Sequence, residues 1–322
     1  MTTMNAAVVT SFERPPQYKR FGVPQAGGSD EDVVDVLAVG LHPRVRTGAA
    51  GAHYTSTGTL PMIPGIDGVG RRPDGALVYF VADDAVTGTM AEKAVVDRRR
   101  SIELPAGADA AAIAASMNPA MSSWVALRRR VPLDPGQRVL VLGATGNAGT
   151  MAVRVARLLG AGSVVGAGRN PERLAALGAA GAGLTVQLTD DTEATGRALA
   201  DAAADVDIVI DYLWGRPAQE AMMALLTARA DRSRRLDWIQ IGAIAGPTIE
   251  LPSVALRSAN LRLQGNGQGA VSAEAYLAEL PSLVERISAG ALSLTPKRVP
   301  LSDVEAAWGM SDAPGERTVL TP

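Results

Sequence analysis

The chain has 322 residues, 31 basic and 33 acidic side chains for a formal net charge of −2, and 47% hydrophobic content. That length can bury one or two substantial cores, and the near-neutral balance leaves no positive excess to draw the chain to nucleic acid or an anionic membrane. With no cysteine, disulfides, thiolate-ligated metal and a cysteine nucleophile are excluded.

Nothing before Phe12 has the charged start and apolar core of a signal peptide, and no apolar run approaches the roughly 18 residues of a membrane span. A cytoplasmic protein with no membrane and no nucleic-acid partner is the expectation. The N-terminal stretch sets turn residues (Gly27-Gly28, Pro64-Gly65, Pro73-Asp74-Gly75) between short apolar runs such as 33–39 and 77–81. This pattern predicts a compact β domain of antiparallel strands. The arginine run Arg128-Arg129-Arg130 reads as a solvated helix end.

The most informative segment follows. Residues 139–149 read Val-Leu-Val-Leu-Gly-Ala-Thr-Gly-Asn-Ala-Gly: a buried strand over 138–142, glycines at Gly143, Gly146 and Gly149, then a helical pattern from Met151 whose small and apolar face ends at Gly160. A buried strand leading into such a turn and a helix start suits a dinucleotide, since glycine lets the backbone approach a pyrophosphate and the helix N-terminus faces its charge. A second strand over 163–167 ends in Gly168-Arg169-Asn170, about 20 residues beyond the first glycine, where an NAD-preferring site keeps an acid for the ribose hydroxyls. No acid stands there; Arg169 is the only charge between 163 and 170, and Arg173 follows one helical turn later. Two guanidinium groups suit a 2'-phosphate and argue for NADPH. The competing reading makes both arginines solvated helix-start residues, since Asn170 caps that helix and Pro171 opens it whatever the ligand.

Further strands are expected over 184–188, 206–211, 236–241 and 261–264, which with the first two make a doubly wound α/β parallel sheet between about 118 and 264. After Gly269 the pattern predicts one helix over 272–289, another over 302–308, and a final strand over 317–320. Trp124 and Trp214 read as core or domain-wall residues.

Taken together, Gly40-Leu41-His42-Pro43, Pro64-Gly65-Ile66-Asp67-Gly68-Val69-Gly70, Ala144-Thr145-Gly146-Asn147-Ala148-Gly149, the strand ending at Asp211, Gly242-Ala243-Ile244-Ala245-Gly246-Pro247 and Leu263-Gln264-Gly265 resemble, in order and spacing, the medium-chain dehydrogenase/reductase superfamily. The match is to its zinc-independent, quinone oxidoreductase-like branch and spans nearly the whole chain. The resemblance implies a Rossmann domain over 120–266 inserted into a GroES-like substrate domain made of 1–119 and 267–322. It also implies a homodimer paired through the strand over 261–264, where an exposed sheet edge offers unpaired N–H and C=O groups.

Metal-dependent relatives hold catalytic zinc at positions that here carry His42 and Ile66, and isoleucine cannot ligate. His53 is the only other histidine, so an improvised site would need His42, His53 and a carboxylate such as Asp67 to converge. Without a Lewis acid, hydride transfer suits an acceptor already activated by conjugation, a quinone or an α,β-unsaturated carbonyl, with a hydrogen-bond donor on the developing oxyanion. The candidates for that catalytic role are Tyr54, on the polar loop His53-Tyr54-Thr55-Ser56-Thr57-Gly58 that the family places over the nicotinamide, and His42. Each also has a structural alternative, a packing wall for the tyrosine and a backbone-bonded histidine beside Pro43.

Position by position, the resemblance implies cofactor contacts from Asn118 and Ser122, from Ala144, Thr145, Gly146, Asn147, Ala148 and Gly149, and from Gly168, Arg169, Asn170 and Arg173. It adds Tyr212 and Leu213 near the adenosine and ribose, and Gly242, Ala243, Ile244, Asn266 and Gln268 near the nicotinamide carboxamide. His42 in place of the usual asparagine, and Asn147 within the glycine loop, depart from the family pattern. The same loop also resembles atypical short-chain reductases and NADPH-sensing repressors, but there it lies near the N-terminus. None of the five tyrosines here has the lysine four residues later that a short-chain reductase requires. An NADPH-binding protein without turnover and an enoyl-thioester reductase of the same fold are the remaining alternatives.

Overall fold

The computed structural model describes residues 2–82 and 86–322. In chain order the first part contains β1 (Thr3–Val8), β2 (Gln17–Gly22), β3 (Glu31–Gly40), α1 (Pro43–Ala49), β4 (Asp67–Arg71), β5 (Leu77–Val81), β6 (Lys93–Asp97), β7 (Ser101–Glu103) and α2 (Ala110–Val125). Next come β8 (Arg138–Leu142), α3 (Asn147–Leu158), β9 (Ser163–Gly168), α4 (Pro171–Ala180), β10 (Leu184–Gln187), α5 (Thr192–Ala203), β11 (Ile208–Asp211), α6 (Gly215–Ala228), β12 (Leu236–Gln240), α7 (Ser253–Arg257) and β13 (Leu261–Gly265). The chain closes with α8 (Ala273–Leu277), α9 (Leu280–Ser288), β14 (Thr295–Pro300), α10 (Val304–Trp308) and β15 (Glu316–Thr321). It falls into two compact units: residues up to Asn118 with Leu277–Pro322, and Pro119–Tyr276.

The first unit is built on a sheet with strand order β14–β15–β3–β4–β5–β7, with β6 also pairing to β3. Its pairs are antiparallel except β14 on β15, which run parallel. The antiparallel expectation for the N-terminal stretch therefore holds, and the C-terminal segment adds the one exception. Met4, Val8, Val36, Val39, Leu41, Ile63, Phe80, Leu301 and Leu320 belong to one buried cluster, with Ile66 packed at its side. N-terminal and C-terminal residues thus share a core.

The second unit is a six-stranded parallel sheet of order β10–β9–β8–β11–β12–β13. The chain starts in the middle at β8, builds outward through β9 and β10, then returns to the other side of β8. The direction reverses between β8 and β11, and loops leaving the carboxyl ends of these two strands diverge there to leave a crevice. Leu140, Leu142, Val165, Val209, Leu225 and Trp238 form the core between sheet and helices. Trp124 is buried at 4% exposure, whereas Trp214 is only half-buried.

Two differences from the sequence expectation have local causes. The helix expected over 272–289 is two short ones, α8 and α9, because Pro281 occupies the first turn of α9, where a missing N–H is tolerated but continuation from the preceding helix is not. The arginine run does end a helix, with Arg128 and Arg129 exposed, but the closing turn over 126–130 is π rather than α; there the Arg128 guanidinium lies 5.2 Å from the Trp124 ring centroid and Arg130 Nε donates to the Gly265 carbonyl at 3.0 Å.

Candidate active site and cofactor crevice

In the second unit, each glycine after β8 has its own reason. Gly143 has φ +84°, a conformation that favours glycine, and its N–H and that of Ala144 both donate to Ala167 O at 2.9 Å. Gly149 lies where a Cβ would sit 2.2 Å from Gly143 O, so helix α3 packs directly on the turn. Gly146 differs. It is exposed, and a Cβ there would meet nothing nearer than Gly143 O at 3.8 Å. Protein packing does not demand glycine at this point, whereas a ligand passing close to the N-terminus of α3 would. That opening, at the positive end of a 12-residue helix, fits a dinucleotide pyrophosphate.

The other expected contact residues gather around the same strand ends. Gly168 at the end of β9 touches Thr145, since a Cβ on it would fall 2.6 Å from the threonine methyl. Asn170 caps α4 by accepting from the Arg173 N–H at 2.8 Å, with Pro171 opening the helix as its sequence implies. Arg173 reaches the loop itself, its Nη1 donating to Thr145 O at 3.4 Å, while the Arg169 side chain is exposed beside it.

After β11, Tyr212 and Leu213 pack against Gly143, whose Cβ position lies 3.3 and 3.1 Å from them. Asp211, fully buried, holds this bend: its Oδ1 accepts from the N–H groups of Leu213 at 2.8 Å and Trp214 at 3.0 Å, and its Oδ2 accepts from Trp238 Nε1 at 3.0 Å. Burial pushes the Asp211 carboxyl above its usual range, against those three bonds. Trp214 takes φ 52°, uncommon for a residue with a side chain.

Tyr212 Oη and Ser122 Oγ lie 2.9 Å apart, and the Ser122 carbonyl accepts from Asn266 Nδ2 at 2.9 Å. Candidates from α2, the end of β11 and the end of β13 thus form one connected group. Burial pushes the Tyr212 phenol up to about 12, so it stays a neutral hydroxyl. Gly242 lies within 2.8 Å (as a built Cβ) of Tyr212 O, and Gln240 Nε2 donates to its carbonyl at 2.9 Å. Ile244 is 80% exposed, and Ala243 and Gln268 are exposed as well.

In the first unit, Gly40-Leu41-His42-Pro43 carries the end of β3 into α1. The imidazole of His42 is buried, 1% exposed, with Nε2 3.0 Å from Asp67 Oδ1. Tyr79 Oη donates to Asp67 Oδ2 at 2.8 Å. Asp67 and Tyr79 are diagonal neighbours across β4 and β5, where Asp67 pairs with Val81 and Val69 with Tyr79, so both side chains leave the same face. The turn before β4 is fixed by Gly65 at φ +110°, where a Cβ would strike Thr89 Oγ1 at 2.3 Å; that hydroxyl donates to Asp67 O at 2.8 Å.

His42 Nδ1 has no hydrogen-bond partner. Nearby, Arg317 Nη1 donates to Leu41 O at 3.0 Å, and burial lowers its guanidinium from the usual range while Asp312 opposes the shift. Tyr54 lies on the loop after α1, 72% exposed, its ring 4.2 Å from that of His53. His53 Nδ1 accepts from the Thr55 N–H at 3.2 Å. Among the described residues no three His, Asp or Glu side chains are grouped as a metal would require.

Sequence alone offers Asp67 only as a hypothetical metal ligand and gives Tyr79 no role in the site. The signal is present all the same: an acid follows directly on Ile66, and an alternating strand with a tyrosine lies a hairpin away.

No protein-family model matches the chain. The chain is 31% identical to a protein of Emericella nidulans named probable NADPH-dependent quinone reductase, over 99% of this chain and all of that one. Among solved structures, it is similar to the quinone oxidoreductase of Thermus thermophilus, determined also in complex with NADPH (26% identity, TM-score 0.79, covering 99% of this chain and all of the other). The quinone oxidoreductase of Pseudomonas syringae shares the fold at 21% identity, with a TM-score of 0.79 over the whole of both chains. The parallel sheet is accordingly of the Rossmann type and the first unit GroES-like. The chain belongs to the quinone oxidoreductase-like family of the medium-chain dehydrogenase/reductase superfamily.

Proposed function

We propose that the chain is an NADPH-dependent reductase that passes hydride to conjugated acceptors, quinones and α,β-unsaturated carbonyls, without a metal ion. The observation that carries the cofactor half is the open Gly146 at the N-terminus of α3, with Arg173 bonded to the same loop and Arg169 beside it. Support for the acceptor comes from the Emericella relative's name, and support for metal independence from Ile66, which stands where metal-dependent relatives carry a histidine ligand and packs against the core instead.

NADPH, when bound, supplies the hydride. The residues of the second unit hold it: the 143–149 turn and α3 N-terminus at the pyrophosphate, Arg169 and Arg173 at the 2'-phosphate, Tyr212 near the adenosine and ribose, and Ser122, Gly242 and Asn266 toward the nicotinamide and its carboxamide. The first unit serves the acceptor. Tyr54 donates a hydrogen bond to the oxygen on which negative charge develops, and His42 handles the proton that completes the reduction.

The test is consumption of NADPH by the purified protein with panels of quinones and enones, before and after exhaustive chelation. Turnover with both panels, unchanged by chelation, is expected. Stoichiometric zinc by elemental analysis, with loss of activity on its removal, would refute metal independence. Tight NADPH binding without turnover on any acceptor would favour a sensor.

Among the described residues β13 ends the parallel sheet, paired to β12 alone. We assign it the homodimer contact, through two-fold pairing of its free edge. Light scattering should return twice the chain mass of 33.2 kDa; a monomer throughout the micromolar range would exclude it.

A further inference from the structure

His42, Asp67 and Tyr79 form a buried group within the first unit, and its geometry asks for an explanation. A buried polar atom without a partner is uncommon, because it forfeits its hydrogen bond to water and gains nothing in return. His42 Nδ1 is such an atom, on a ring only 1% exposed, while the other nitrogen of the same ring is fully engaged. Both oxygens of the engaged carboxylate also have a partner. A carboxylate only accepts, and the two Asp67 oxygens take one bond each from His42 Nε2–H at 3.0 Å and Tyr79 Oη–H at 2.8 Å.

We infer that Asp67, itself steadied by Tyr79, is a positioning residue that fixes the tautomer of His42, so that Nε2 keeps its proton and Nδ1 is the one atom that exchanges it. An imidazole held in this way cannot turn its ring to satisfy Nδ1, since rotation would break the carboxylate bond and strand the Asp67 charge in the interior. The nitrogen keeps a lone pair that no protein group takes up, able to accept a proton.

For catalysis the inference rests on the reductase reading above. Bound NADPH would supply the hydride, and what this chain adds is the proton that the resulting acceptor anion, an enolate or hydroquinone anion, needs. The proton on Nδ1 of the imidazolium passes to that anion, the N–H bonding pair stays on the ring as a lone pair, and water restores the proton. Nε2–H and its bond to Asp67 persist throughout. The balance per acceptor reduced would be two electrons and one proton as the cofactor's hydride and one proton from solvent by way of Nδ1.

The chain has two histidines, so His53→Asn leaves a single imidazole to observe. In the ¹⁵N-labelled variant, long-range ¹H–¹⁵N spectra at a pH where the ring is neutral should show a protonated Nε2 and a bare Nδ1. Adding Asp67→Asn should raise the Nδ1–H population, because a neutral amide orients the ring less firmly. In the otherwise native chain Asp67→Asn should lower kcat about tenfold, less than the roughly 100-fold typical of general acid catalysis because solvent can substitute. NADPH affinity should not move.

In a His42→Asn background the same change should have almost no further effect, since two residues acting through one group are not additive. Tyr79→Phe, which removes only a hydroxyl, should shift both readouts in the same direction by less, and it serves if Asp67→Asn does not fold. A protonated Nδ1 in the protein with Asp67 intact, or independent losses from Asp67→Asn and His42→Asn, would overturn the assignment. Were no acceptor turned over, the spectra would still decide the tautomer, and the failure would belong to the reductase reading.

Discussion

Arg169→Ala weakens NADPH binding roughly ten- to hundredfold and leaves NADH binding nearly unchanged, the loss of one charge-assisted contact to phosphate being about 1.5 to 3 kcal/mol. The expectation rests on placement. Arg169 follows β9 directly, in the loop that in NAD-preferring sites presents an acid to the ribose, and its side chain is exposed. Its cation is next to the positive end of α4, where a helix gains nothing from a positive neighbour. A bound phosphate dianion reverses that balance. Arg173 is partly committed, through Nη1, to Thr145 O, so Arg173→Ala should cost NADPH less and also disturb the glycine turn, affecting both cofactors. Titration of each variant with NADPH and NADH is the measurement. Equal losses for the two cofactors in Arg169→Ala would remove the phosphate role.

The second large effect is on the chemical step. Tyr54→Phe keeps the ring and removes the donor, so the loss should appear in kcat with an enone acceptor, about 100-fold or more, with NADPH affinity unaltered. A purely packing role predicts kcat within a few-fold. A tyrosine 72% exposed has little packing to lose, which makes the substitution a clean one. His42→Asn restores the residue usual in the family and should be milder, about tenfold, because water can deliver the final proton that the oxyanion donor cannot replace. An enone is the better acceptor, since a quinone takes hydride with less help from the protein. Full kcat in Tyr54→Phe together with abolished kcat in His42→Asn would transfer the donor role to the histidine.

How far the fold is legible in the sequence depends on how local its causes are. The parallel sheet can be read strand by strand, because fully buried strands such as β8 and β11 are continuous apolar runs and turn residues punctuate them. In the first unit β1, β2, β4, β6, β7 and β14 escape such a reading. Strands such as β2, with sequence Gln-Tyr-Lys-Arg-Phe-Gly, or β14, Thr-Pro-Lys-Arg-Val-Pro, carry too few apolar residues to show a period of two, and their partners lie far along the chain. The glycine turn is legible, but not the division of labour within it: that Gly149 answers to packing and Gly146 to open space depends on Cβ directions in three dimensions. Likewise Ser122, Tyr212 and Asn266 can be named singly, while their hydrogen-bonded chain spans separations of 90 and 144 residues. The carboxylate behind His42 is hidden for a similar reason, since a strand diagonal brings Tyr79 to Asp67 and a buried loop brings both to the histidine.

Trp214, with its backbone at φ 52° and ψ −161°, gives the cofactor-facing surface a mechanical character. Such a conformation costs a side-chain-bearing residue about 1 to 3 kcal/mol and persists only where its surroundings overdetermine it. Here they do so through the Asp211 carboxylate, which grips two successive N–H groups, and through Gly215, where a Cβ would stand 2.8 Å from Ala245 O. The bend therefore behaves as a preloaded spring. Because Tyr212 and Leu213, which enter this bend, lie close against Gly143, and Tyr212 lies close against Gly242 as well, holding the bend keeps two separate loops in register. Rigidity of the nucleotide crevice is in this sense manufactured one residue beyond the side chains that line it, and any relaxation at Trp214 would slacken both loops at once.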